Sequence, residues 1–310
     1  MKVANNWQDY KLIDMANGQK LEKWGRYILS RPDPQIIWKE RMYNEEWKKA
    51  DAIYNRSKTG GGSWKYNKKL PENWQIKYKG LTFNIKPMGF KHTGLFPEQA
   101  VNWDWMIEKI QNAKREIKVL NLFAYTGGAT VACLHAGASV CHVDSSKGMV
   151  SWAKENVHSS GLADKKIRYI VDDVNKFVAR EIRRGNKYDA IIMDPPSYGR
   201  GTNGEVWQFE NNIYDLVELC KQVLSDNPLF FLINSYTTGI SSTVLSNILI
   251  LTIEKTYKGQ VTCGEVGLPM ENSDLILPCG IYGRWEAWGR RYVVRSKNWP
   301  LISNLRFQEI

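Results

Sequence analysis

Four polar clusters, each following a short apolar run, hold the residues of this chain that can do chemistry. The run 117–123 contains Asn121 and Phe123 and passes into Ala124-Tyr125-Thr126-Gly127-Gly128. The run 139–143 ends at Asp144-Ser145-Ser146, and 167–171 ends at Asp172-Asp173-Val174. The run 188–193 ends at Asp194-Pro195-Pro196-Ser197-Tyr198-Gly199. Paired glycines let a backbone pass close to a ligand with no Cβ in the way. Asp144 is placed to accept hydrogen bonds from both ribose hydroxyls of a nucleoside, and a carboxylate of the third cluster could receive an adenine amino group. Asp194 or the Pro195 carbonyl can accept from a base held beside it, while Tyr198 can stack on that base. Two prolines stiffen the loop by fixing φ. Each feature alone has a plainer reading: the glycine turn could merely pack a helix on a sheet, and Tyr198 could be an ordinary surface residue.

The elements that must position these groups follow from the apolar pattern. Each cluster sits at the carboxyl end of a strand, where open α/β sheets bind ligands. Apolar residues at helical spacing follow each strand, over 129–136, 147–158, about 175–184 and about 210–224. A fifth strand is predicted at 229–234, a helix at about 241–254, and a closing hairpin near 257–266 and 276–286. The spacing G-x-G-x-x-G is absent, which disfavours a nicotinamide-dependent dehydrogenase. Upstream, Asn17-Gly18 supports the two positive φ angles of a type I′ turn and so predicts a hairpin. A second hairpin is predicted from 74–78 and 81–85, and Gly60-Gly61-Gly62 reads as a flexible turn. Residues 38–56 take no firm assignment.

The order NLFAYTGG, VDSS, VDDV, DPPSYGRG resembles a class I S-adenosylmethionine-dependent methyltransferase. More narrowly it resembles the bacterial family of ribosomal RNA large-subunit methyltransferases that modify single bases. His92-Thr93-Gly94-Leu95-Phe96-Pro97-Glu98-Gln99 is similar to that family's segment before the first strand. The resemblance covers roughly residues 90–286, and the N-terminal third is similar to the family's extended β-hairpin region. It implies an α/β, Rossmann-like seven-stranded methyltransferase sheet of order 3-2-1-4-5-7-6, with a small β-rich hairpin domain at 1–90 and the methyltransferase domain at 91–310. It implies S-adenosyl-L-methionine as cofactor, held by Phe96, Gln99, Asn121, Phe123, Ala124, Tyr125, Thr126, Gly127, Gly128, Asp144, Ser145, Ser146, Asp172, Asp173, Val174 and Asp194. Asp194, Pro195, Pro196 and Tyr198 are the candidate catalytic residues. Arg200 and Trp207, on the glycine-rich stretch 199–207, are candidate substrate contacts on a lid, with a solvated surface loop as the alternative. Trp103, Trp105 and Met106 read as helix-packing residues.

Charge bears on the substrate. The chain of 310 residues carries a formal net charge of +11, and residues 1–100 hold 19 basic against 10 acidic side chains. That third also contains six of the thirteen tryptophans: Trp7, Trp24, Trp38, Trp47, Trp64 and Trp74. Basic residues interleaved with aromatics suit RNA, which the resemblance implies is ribosomal; the plainer reading is a basic surface over an aromatic core. Methylation of a pyrimidine C5 needs a thiolate that adds at C6. Neither 194–204 nor 234–239 contains cysteine, so a base nitrogen is the expected acceptor, on guanine or another purine. Cytosine C5 of ribosomal RNA, a small molecule or a protein side chain is the competing acceptor, and an RNA-binding protein with a decayed fold is the non-enzymatic alternative. Five cysteines without C-x-x-C pairing read as reduced thiols of a cytoplasmic protein. The four histidines lack metal-ligand spacing, the apolar runs are too short for a membrane span, and a monomer or homodimer is expected.

Overall fold

The computed structural model describes residues 1–57, 61–200 and 206–288. Gly60 of the glycine turn and 201–205 of the expected lid lie outside the described residues. The N-terminal third consists of β1 (Lys2–Val3), β2 (Tyr10–Ala16), β3 (Gln19–Trp24), β4 (Tyr27–Pro32), α1 (Asn44–Trp47), β5 (Ala52–Arg56), β6 (Gly62–Tyr66), β7 (Trp74–Tyr78) and β8 (Leu81–Ile85). Asn17 and Gly18 both take positive φ, 52° and 71°, so the turn between β2 and β3 has the predicted handedness. Strands β2 to β6 form one sheet, and β7 pairs only with β8. The unassigned stretch 38–56 contains the single turn of α1 and then β5, which joins β4 in parallel.

A short 3-10 turn (Pro97–Gln99) leads into α2 (Ala100–Asn112). Then follow β9 (Lys118–Leu122), α3 (Gly128–His135), β10 (Ser139–Asp144), α4 (Lys147–Ser159), β11 (Ile167–Val171), α5 (Val174–Arg183) and β12 (Ala190–Met193). The ribbon of β13 (Tyr198–Arg200) and β14 (Val206–Gln208) precedes α6 (Phe209–Lys221), β15 (Phe230–Ser235), α7 (Ser242–Leu249) with a π turn over Ile250–Glu254, β16 (Gly259–Pro269) and β17 (Ile276–Ala287). The main sheet runs β11-β10-β9-β12-β15-β17-β16-β1. Its first seven members reproduce the expected order 3-2-1-4-5-7-6. The eighth is the two-residue β1, which pairs in parallel with Val266 and Gly267 of β16. Beside it Glu271 N donates to Leu12 O at 2.8 Å, and Lys11 pairs with Glu271.

Strands β9, β12 and β15 are almost wholly buried, as parallel strands covered on both faces must be. One core packs α5, α6 and α7 on the sheet, through Phe177, Phe209, Leu216 and Leu245. The other places Trp103 and Met106 of α2 and Val131 of α3 against Trp24, Ile76 and Phe83 of the hairpins. The hairpins thus share a core with the sheet. Burying side chains of this size contributes roughly 1.5–3 kcal/mol each.

The N-terminal tryptophans belong to this packing. Trp24 is fully buried. The indole N–H groups of Trp7, Trp38, Trp64 and Trp74 donate to backbone carbonyls of Pro97, Met15, Met88 and Trp24, and that of Trp47 donates to Asp14 Oδ2. Rings with their polar ends committed this way are structural, so the aromatic core is the reading that holds and the stacking platform is not.

Candidate functional site

The loop from β9 to α3 has unusual backbone. Phe123, Tyr125 and Gly127 all take positive φ, at 52°, 50° and 82°. For two aromatic residues that conformation costs of order 1–3 kcal/mol and persists only where surroundings enforce it. Asp144, at the end of β10, enforces it: Oδ2 accepts from Tyr125 N and Oδ1 from Ser146 N, each at 2.8 Å. The glycine pair is set by packing. A Cβ on Gly127 would meet Ala153 Cβ at 3.0 Å, and one on Gly128 would lie 2.8 Å from the Trp103 ring. The glycine turn thus packs α3 closely and also forms the floor of a cleft.

That cleft opens at the carboxyl ends of β9, β12 and β15. Of the predicted residues it gathers Phe96, Gln99, Asn121, Phe123, Ala124, Tyr125, Thr126, Gly128 and Asp194 on its walls. Gly127 lies in the same loop as the residue before α3. Asp144 stands behind the loop it braces, Ser145 is exposed beside it, and Ser146 caps α4. Asp172 pairs with Arg180, Asp173 caps α5 by accepting from Lys176 N at 2.9 Å, and Val174 is buried in the core. None of these three lines the cleft; all secure the start of α5.

Asp194 is the chemical outlier. Its Oδ1 is buried and has no hydrogen-bond partner. Burial, with the Glu98 charge adding to it, pushes its carboxyl up to about 7. An unpartnered buried carboxylate is costly, and it faces the rings of Phe96, Phe123, Tyr125 and Trp103 across the cleft. A negative charge among aromatic faces is an environment for a cation, so the donor set fits a sulfonium such as that of S-adenosylmethionine. Pro195 is buried and Pro196 exposed; the Pro196 carbonyl accepts from Trp207 Nε1 at 2.6 Å. Trp207 then lies against Phe123 with ring centroids 5.4 Å apart, at the rim of the cleft. Tyr198 is about half exposed and accepts from Arg200 Nε at 2.9 Å. Both sit on the β13–β14 ribbon, outside the cleft lining.

Sequence reasoning missed a network at the end of β15. Gln99 Nε2 donates to Tyr236 OH at 2.7 Å, and Tyr236 OH donates to Glu98 Oε1 at 2.9 Å. Asn102 Nδ2 donates to both Gln99 Oε1 and Asn234 Oδ1 at 2.8 Å, and Arg284 holds Asn102 from the other side. The signal was present, since Asn234-Ser235-Tyr236 is a fifth polar strand end of the same kind as the other four. Trp103, expected only to pack α2, also lines the cleft, as does Leu95. Burial pushes Glu98 and Tyr236 up from their usual ranges, so the network is neutral on its Tyr236 side.

Residues 54–240 match the family model of the S-adenosylmethionine-dependent methyltransferases. Among solved structures, the SAM-dependent methyltransferase from Agrobacterium tumefaciens is 38% identical, with a TM-score of 0.86 over 90% of this chain and 91% of that one. The M. jannaschii tRNA m1G37 methyltransferase shares the fold at 12% identity and a TM-score of 0.52, over 90% of this chain and 74% of that one. Ribosomal RNA large subunit methyltransferase I of Enterobacter sp. (strain 638) is 35% identical over 124 residues, 40% of this chain and 30% of that protein. Ribosomal RNA large subunit methyltransferase K/L of Shewanella frigidimarina is 31% identical over 150 residues, 48% of this chain and 20% of that protein. The match spans less than a third of the length of either ribosomal RNA enzyme.

Proposed function

We propose, since this chain belongs to the S-adenosylmethionine-dependent methyltransferase family, that it methylates a base nitrogen of ribosomal RNA in the cytoplasm. S-adenosylmethionine is the cofactor, and when bound it supplies a methyl group on a positively charged sulfur. The observation that carries the reading is Asp194: a buried carboxylate oxygen with no hydrogen-bond partner among the described residues, at the end of β12, in a cleft walled by aromatic rings.

Transfer to nitrogen is an in-line displacement, so the protein's task is to orient the acceptor and exclude water. Orientation of this kind can contribute on the order of 7 kcal/mol. Asp194 and the Pro195 carbonyl accept hydrogen bonds from the base and aim its lone pair into the cleft. Trp207, pinned to Pro196 and resting on Phe123, covers the rim. Gln99 and Asn102, tied to Asn234 and Tyr236, keep the far wall from moving as the base arrives. Tyr198 and Arg200 extend the same loop toward the substrate.

Two observations favour RNA. The excess positive charge lies in residues 1–100, where it suits a polyanion, and the relatives above act by name on ribosomal RNA. Carbon methylation would require a thiolate near the cleft. Cys279, on β17, lines the cavity beside the cleft, and burial, reinforced by the Glu98 charge, raises its thiol well above the usual range; it stays protonated and is a poor nucleophile.

Mass spectrometry of ribosomal RNA nucleosides, from cells with and without the protein, tests the substrate directly. Asp194→Ala should lower methyl transfer on the order of 10²–10³-fold, a larger loss than its loss of cofactor affinity. Wild-type turnover should also fall as acid protonates Asp194, which then donates where it must accept. A bound cation lowers the carboxyl from about 7, so the falling limb lies at or below that pH. A variant with wild-type turnover, or a rate that rises on acidification, would refute the assignment.

A further inference from the structure

A second cavity adjoins the cofactor cleft, between the β3–β4 hairpin and the 3-10 turn before α2. It encloses about 930 Å³ including its solvent-open mouth. Leu95 and Phe96 line both spaces. The Gln99–Tyr236–Glu98 hydrogen bonds cross from one to the other.

Lys91, beside His92, and Glu98, bonded to Tyr236, mark the two ends of this cavity, and Lys20, Arg31 and Asp33 line it as well. Arg31 is consumed by Glu22, through Nε at 2.6 Å and Nη2 at 2.8 Å, and Lys20 lies 3.2 Å from Asp33. Lys91 has no carboxylate partner among the described residues; its ammonium reaches only the Pro32 carbonyl, at 3.3 Å. Burial, only partly offset by Asp33, lowers its pKa, the mark of a cation lacking a counter-charge. At the other end is the Glu98 carboxylate, 4% exposed. It accepts from Tyr236, and no other side chain donates to it among the described residues.

Between the ends runs an aromatic wall. His92 and Phe96 have ring centroids 5.4 Å apart, and Phe96 and Tyr236 5.5 Å. Burial, followed by the charges of Arg31 and Lys91, pushes His92 down to about 4, so its ring is neutral near pH 7. One surplus cation, one flat apolar wall and one carboxylate match the three parts of a nucleotide: phosphate, base face and a base edge that carries N–H donors.

We propose that this cavity holds the nucleotide next to the acceptor in the RNA strand, with its phosphate on Lys91, its base along Phe96 and His92, and a donor-bearing base edge on Glu98, while the acceptor base itself stays on Asp194. The inference rests on the RNA reading above and adds the residues that select the neighbouring base. A carboxylate on the edge favours bases that present hydrogen-bond donors there and disfavours those that present only acceptors, because a buried acceptor facing another acceptor leaves both unpaired. Guanine, with N1–H and the 2-amino group side by side, fits best. Glu98 is then a specificity-determining residue and Lys91 an anchoring one.

The test uses the full chain and total ribosomal RNA from cells lacking the protein. Steady-state methylation and calorimetric titration with S-adenosylmethionine are compared for wild type, Lys91→Gln and Glu98→Gln. Lys91→Gln should raise KM for RNA several-fold with kcat within twofold, and reduce the salt dependence of log KM by about one. Glu98→Gln should lower kcat/KM for RNA about tenfold or more. Both variants should keep cofactor affinity within twofold. Wild-type RNA kinetics in both variants would overturn the inference, and so would lost cofactor affinity in Lys91→Gln, because the cavity would then belong to the cofactor site. If Glu98→Gln fails to fold, the KM and salt dependence of Lys91→Gln alone decide. A wild-type protein that methylates no RNA would instead sink the RNA reading itself.

Discussion

Glu22 in the N-terminal sheet and Asp194 at the end of β12 are both buried carboxylates, and the protein treats them in opposite ways. Glu22 receives Arg31 through two nitrogens and Tyr10 OH at 2.8 Å. Burial pushes its carboxyl up, but the Arg31 and Lys20 charges prevail and hold it at about 2. Asp194 receives nothing at Oδ1 and sits at about 7. A carboxylate whose bonds are all made within the chain stabilises the fold. One left unpaired costs stability until a ligand arrives. Asp144 falls between them, with one backbone donor on each oxygen and lone pairs left over for a ribose.

Breaking the Glu22 pair gives the largest expected effect of the three. Arg31→Ala leaves an uncompensated buried charge and should destabilise the protein by roughly 3–5 kcal/mol in denaturant titration. Because the folded carboxyl is depressed below its usual 4.5, the pair's contribution is fully present above that pH and is lost as pH falls toward 2. A loss below 1 kcal/mol at pH 7 would show that Glu22 is not held as described. Asp144→Ala should weaken S-adenosylmethionine binding by about 1–3 kcal/mol, read by calorimetry. Part of that loss comes from slackening the strained Phe123–Tyr125 backbone, so binding enthalpy should fall with affinity; an unchanged dissociation constant would remove Asp144 from the site.

The smallest effect should have the opposite sign. Asp194→Asn, measured without cofactor at pH 8, should raise the melting temperature by about 2 °C or more, taking roughly 2–4 °C per kcal/mol. The sign follows from the raised pKa. Both states are protonated below about 3.8, and the cost of ionising the folded group accumulates as pH rises to about 7. The gain should therefore vanish at pH 4. A variant less stable than wild type at pH 8 would mean that Asp194 is satisfied after all, and the contrast with Glu22 would fail.

The sheet was legible because parallel strands buried on both faces leave continuous apolar runs, and each run here ends on a polar cluster. The strand order, the hairpins at Asn17-Gly18 and 74–85, and the gathering of Phe96, Gln99 and Asp194 could all be anticipated. Other features depend on contacts distant in sequence. Gly128 reads as a ligand cradle until Trp103 is seen beside it. Asp172 and Asp173 read as ligand groups until α5 claims them. The six tryptophans look like an RNA platform until four indole N–H groups are followed to backbone carbonyls, that of Trp47 to Asp14, and Trp24 to the core. The Glu98–Tyr236 bond joins residues 138 positions apart, and β1, two residues long, has no periodicity to detect.

That short strand has a consequence for how the molecule is made. Residues 2 and 3 find their neighbours at 266 and 267, and Leu12 is bonded to Glu271. At translation speeds of about 5–20 residues per second, the beginning of the chain waits on the order of tens of seconds for its partner to emerge. Until then the Trp24 and Phe83 side of the hairpins, which is completed by α2 and α3, can close before its outer edge does. Final assembly therefore waits until β16 and β17 fold back over β1, and a nascent chain stalled before residue 266 should be readily digested at its first dozen residues.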